Sequence, residues 1–98
     1  MGFFDESIVL DNNGVELMFN PYTQLIQIGM GGEWWSGRIK MGTNVLKHRK
    51  EDVDDCYKPV VISLTEVEYS VLEIHVTGGF GMEASFKIGD NLPKNKLH

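Results

Sequence analysis

The chain has 98 residues, a formal net charge of −5, 42% hydrophobic residues, 23% charged residues and a single cysteine. That length gives one domain, able to bury roughly 60–68% of the surface its unfolded form exposes. The balance excludes a disordered chain, a disulfide framework and a membrane-spanning apolar run, and the negative charge argues against non-specific nucleic-acid binding.

The N-terminus, MGFFDESIVLD, has no basic region, apolar core or small-residue cleavage site of a secretory signal. Glu6 stands where a myristoylation signal needs a hydroxyl residue. With one cysteine, Cys56, this predicts a cytoplasmic chain that begins at its native start. Charge is unevenly spread. Residues 1–37 carry five acids and no Lys or Arg. Residues 38–50 carry Arg38, Lys40, Lys47, Arg49 and Lys50 and no acid. Residues 51–98 carry nine acids and four bases.

Ser7 to Leu10 is the first strand pattern. Asn13-Gly14 follows, a type I′ hairpin signal because both residues tolerate positive φ. That turn pairs Leu10 with Leu17 and Ile8 with Phe19. The second strand, Val15 to Phe19, ends at Asn20-Pro21, where proline removes a ladder donor. Tyr22 to Met30 resumes the β pattern. Gly31-Gly32 is a second two-residue turn, pairing Ile28 with Trp35, Ile26 with Gly37 and Gln24 with Ile39. Gly37 then leaves room for a bulky neighbour such as Trp35. On the returning strand, Trp34 to Met41, alternation puts Trp35, Ile39 and Met41 on one face. Trp34, Ser36, Arg38 and Lys40 take the other.

Residues 43–51 read as a short helix capped by Thr43 or Asn44, or equally as an exposed basic loop. Asp52 to Asp55 reads as a solvated acidic turn, lacking the glycine and distant glutamate of a calcium loop. Lys58-Pro59 leads into a strand, Val60 to Leu64. Glu66 to Tyr69 is a turn or bulge, since the apolar phase changes near Ser70-Val71. The last hairpin is Leu72 to Ile88. A loop of Gly78, Gly79 and Phe80 sets Val76 opposite Met82, Ile74 opposite Ala84 and Leu72 opposite Phe86. Leu72, Ile74, Val76, Met82, Ala84 and Phe86 then form a core face, and His75 faces Glu83. Six or seven short strands joined by tight turns predict an all-β single domain over 1–90, an antiparallel sandwich or partly open barrel, with 91–98 a polar tail.

Chemical signatures are sparse. Neither glycine-rich piece follows a Walker or dinucleotide fingerprint, and both lie between strands. Glu73, His75 and Glu83 share the polar face of the last hairpin. They are weak metal-ligand or small-enzyme candidates, and more simply an exposed cross-strand group. Cys56 and His48 lack a third catalytic partner, and Glu66, Glu68, Glu73 and Glu83 are acid–base candidates only by abundance. No cofactor is expected. Trp34 with Arg38 and Lys40, followed by Lys47, Arg49 and Lys50, has the composition of a protein-binding hot spot, or equally of a hairpin face covered by an overlying loop. In general plan the chain resembles small bacterial immunity proteins and phage-encoded inhibitors. The resemblance rests on the alternating Val71–Ile88 hairpin, the size and the acidity. It implies a non-enzymatic module that binds a toxin or host enzyme, and it carries no functional residue over. A structural or assembly subunit, including a homodimer through exposed strand edges, is the alternative.

Overall fold

The computed structural model describes residues 7–48, 59–68 and 71–89. These form eight strands: β1 (Ile8–Asn12), β2 (Val15–Asn20), β3 (Leu25–Met30), β4 (Glu33–Arg38), β5 (Gly42–His48), β6 (Val60–Glu68), β7 (Val71–Gly78) and β8 (Met82–Ile88). Each pairs antiparallel with the next in one meandering sheet, and β8 returns against β1 and β2. The chain is therefore all-β, a nearly closed barrel, and the described residues contain no helix. None of them forms a helix long and apolar enough to cross a membrane.

Two turns follow from local chemistry alone. Asn13 and Gly14 both have positive φ, 53° and 79°, and give the expected pairs Leu10↔Leu17 and Ile8↔Phe19. Gly31 and Gly32, at 55° and 82°, give Ile28↔Trp35 and Ile26↔Gly37. The Ile39 amide donates to the Gln24 carbonyl at 2.9 Å, which extends that register as expected.

Alternation then closes the core. Val15, Leu17, Phe19, Ile26, Ile28, Met30 and Trp35 from the first half meet Leu46, Val60, Ile62, Leu64, Ile74, Val76, Ala84, Phe86 and Ile88 from the second. An eight-stranded barrel is just narrow enough for such side chains to fill it. Between β1 and β8 the described residues form no backbone ladder. Instead the Asn12 side-chain amide donates to the Ser85 carbonyl at 3.0 Å, and that of Asn13 to the Glu83 carbonyl at 2.8 Å.

Several expectations change. Residues 42–48 are a strand, neither helix nor loop. Leu46 is buried opposite Val60, and pairing with β6 over Gly42–Leu46 outweighs the weak helical preference of the segment. Asn44 caps no helix. It clamps a turn, accepting from the Lys40 amide at 2.9 Å and donating to the Lys40 carbonyl at 2.8 Å. That turn swings Met41 out to solvent, off the Trp35–Ile39 face. The space left by Gly37 is taken by Leu46, not Trp35: a Cβ there would lie 2.9 Å from Leu46 Cδ2. The third strand starts at Leu25 rather than Tyr22, because the Asn20 carboxamide oxygen accepts the Tyr22 and Thr23 amides and holds 21–24 in a turn.

β6 runs on to Glu68, with the expected irregularity between Glu66 and Glu68. In the last hairpin the loop is Gly79-Phe80-Gly81, not Gly78-Gly79-Phe80. Val76 therefore pairs with Ala84, Ile74 with Phe86 and Leu72 with Ile88. The two-residue shift keeps every side chain on its expected face. Leu72, Ile74, Val76, Ala84 and Phe86 are buried and Met82 packs at the core's rim. The acidic turn at 52–55, Cys56 and the 91–98 tail lie outside the described residues.

Candidate functional site

β4 and β5 position the basic residues. On β4, Trp35 points into the core and is fully buried. Its neighbour Trp34 must then point out, with Ser36 and Arg38. Trp34 pairs with Gly29, and a Cβ on Gly29 would lie 2.8 Å from the Trp34 ring. The indole thus lies flat on the β3 backbone, with one face on the protein and the rest open. A side chain at position 29 would lift it away.

Among the described residues, β4 and β5 pair Trp35↔His48 and Ser36↔Lys47. This pairing brings Lys47 to the outer face beside Ser36. Gln27 flanks Ser36 from β3. Ser36 therefore sits at the centre of a cross: Trp34 and Arg38 along its own strand, Gln27 and Lys47 across. Its small side chain, with Gly37 next to it, leaves an outer depression of about 250 Å³ lined by Leu25, Ile26, Gln27, Ser36 and Gly37. Val45, two residues before Lys47 on the same face, is exposed and extends the surface.

The ion pairs among the described residues are Glu33–His48 and Glu83–His75, so Arg38, Lys40 and Lys47 take part in none. Lys40 is exposed beyond the end of β4. Arg49 and Lys50 lie outside the described residues. The sequence thus pointed to Trp34, Arg38 and Lys47, and the fold gathers these three on one face. It did not point to Ser36 and Gln27, the floor and wall of the depression. Their pairing was legible from the Gly31-Gly32 turn, but the approach of Lys47 was not.

The polar face of the last hairpin assembles differently from the sequence expectation. His75 stands opposite Ser85, and its Nδ1 lies 2.8 Å from Ser85 Oγ. Glu83 has moved opposite Thr77, leaving a 3.7 Å diagonal contact between its Oε1 and His75 Nε2. Glu73 pairs with Lys87. No three His, Cys, Asp or Glu side chains among the described residues are grouped to hold a metal ion. Glu66 and Glu68 are exposed at the far end of β6.

A second titratable pair was invisible in the sequence because its members are 15 residues apart. His48 Nε2 donates to Glu33 Oε1 at 2.8 Å, with both side chains mostly buried. The His48 ring meets Trp35 edge-on at 5.0 Å, and Phe80 meets Trp35 edge-on at 5.9 Å. This cluster lies where the β3–β4 and β7–β8 turns come together, with Phe80 packed over Gly31. Cys56, its suggested partner in sequence, lies outside the described residues. In comparisons with known proteins, no protein family, curated protein or solved structure matches this chain.

Proposed function

We propose that the chain is a small acidic cytoplasmic module that acts by binding another protein through the outer face of β3, β4 and β5. One observation carries this reading. A half-buried tryptophan, Trp34, shares one sheet face with Arg38 and Lys47, neither of which has an ion-pair partner among the described residues, next to a depression lined by Gln27 and Ser36. Aromatic and arginine side chains on a preformed surface are the usual anchors of interfaces. The strands fix the backbone spacing of these residues, and Trp34, already packed on Gly29, has little rotamer freedom left to lose on docking. The resemblance to immunity proteins and phage inhibitors adds the expected outcome, neutralisation of a toxin or host enzyme.

The test is affinity capture with the wild type and with Trp34→Ala, followed by mass spectrometry and titration of any captured protein. Circular dichroism checks that the variant folds. Trp34→Ala should weaken the interaction more than about fivefold, the loss expected of a hot spot above ~1 kcal/mol. Affinity within about twofold of wild type removes the patch from consideration.

The seam supports a second reading, assembly of copies. Among the described residues β1 and β8 face each other without a ladder, which leaves edge backbone groups able to pair with another strand. Sedimentation that shows a monomer at all concentrations would rule this out.

A further inference from the structure

We infer that the Trp34 face takes a carboxylate-bearing, extended segment of its protein partner, with the acid over Ser36 and an apolar side chain over Trp34. The inference rests on the protein-binding reading above and supplies the chemistry of the partner.

Charge comes first. Arg38 and Lys47 flank Ser36 on two sides, about 7 Å away along the strand and about 5 Å across it. Their outer-face neighbours are neutral. Leu25 faces Arg38, and Gln27 and Ser36 continue the row from Lys47. Val61 and Ser63 stand opposite Val45 and Thr43 on the β6 side. Among the described residues the nearest outer-face acid by register is Glu16, beyond Gly29 on the far side of Trp34. A chain with net charge −5 thus places two cations, with no ion-pair partner among the described residues, at one spot on its sheet.

Hydrogen bonding selects the ligand. An arginine fork accepts a carboxylate bidentately, and a lysine adds a point charge. The Gln27 amide and Ser36 hydroxyl supply neutral donors at the floor. Spacing selects the shape. Ser36 and Trp34 are two residues apart on one strand, about 7 Å. An extended peptide repeats its side chains on one face at the same interval. Acid and apolar residue should therefore alternate as i and i+2.

The test is an NMR titration of isotope-labelled protein with four probes. The first is the capped peptide glycine–glutamate–serine–phenylalanine–glycine–serine. The second and third replace its glutamate by glutamine or lysine. The fourth is inorganic phosphate. The acidic peptide should shift the Trp34 indole N–H and the Gln27, Ser36 and Lys47 amides. The glutamine peptide should bind about tenfold more weakly, the value of a charge-assisted contact, and Arg38→Gln with Lys47→Gln should erase that preference. Equal binding of acidic and glutamine peptides, shifts elsewhere or no shifts at all would overturn the inference. Phosphate binding at the same residues as tightly as the peptide would also overturn it, leaving a small-anion site. If the peptides fail while Trp34-dependent capture persists, protein binding stands and the acidic partner falls. If capture ignores Trp34→Ala, the underlying reading falls whatever the peptides do.

Discussion

Gly78→Ala against Gly32→Ala separates backbone strain from tertiary collision. Both glycines have positive φ, 104° and 82°, so alanine is strained at either position. That strain costs about 1–2 kcal/mol. At Gly32 nothing lies within 4 Å of the added Cβ, so the strain is the whole cost. At Gly78 the Cβ would fall on the Pro59 carbonyl oxygen, well inside van der Waals contact, with Val60 Cα also close. Both obstacles are backbone, so no side-chain rotation relieves them. The same Pro59 oxygen accepts the Gly79 amide at 3.3 Å, so moving it loosens the entry to β6. Overpacking of this kind adds roughly 1–3 kcal/mol, giving about 2–5 kcal/mol for Gly78→Ala. At this chain length ~1 kcal/mol shifts the melting temperature by about 4 °C. Calorimetry should therefore show a loss of roughly 4–8 °C for Gly32→Ala and roughly 8–20 °C for Gly78→Ala. Equal losses would refute the close approach of β7 to Pro59, and with it the placement of the last loop at 79–81.

Three further variants probe the packing and the seam. Ile74→Ala and Phe86→Ala, a directly paired set in the core, should each cost about 2–5 kcal/mol in urea unfolding; a negligible cost at both would place these side chains outside the core. Asn12→Ala with Asn13→Gly, the glycine retaining the positive φ of the turn, removes both side-chain hydrogen bonds to β8 and should cost about 1–2 kcal/mol in sum. A double variant as stable as wild type would mean that these bonds do not hold the seam.

Much of the fold was legible because its information is local. Asn13-Gly14 and Gly31-Gly32 each impose a two-residue turn, and each turn sets the register of two strands by counting outward. Alternation then separates Trp35 from Trp34, inside from outside, with no tertiary information. The same reasoning weakened where local signals were degenerate. The run Gly78-Gly79-Phe80-Gly81 admits more than one three-residue loop. A shift of two leaves the apolar face unchanged, so hydrophobic pattern cannot choose between them. The choice is tertiary: Gly79 nestles where a Cβ would meet Met30 Sδ at 2.9 Å and the Trp35 ring at 3.1 Å, and its amide bonds to Pro59.

β5 shows the same limit more sharply. Gly42–His48 has weak propensity for any state, and only its pairing with β6 and the burial of Leu46 make it a strand. The candidate site depends on that decision. From its sequence, this protein was already an antiparallel β domain with Trp34 and Arg38 on one strand face, exposed or covered. The delivery of Lys47 to Ser36 and the joining of His48 to Glu33 come from the β4–β5 ladder. That ladder connects segments whose proximity no local turn encodes, so only the closure of the barrel around its core could decide it.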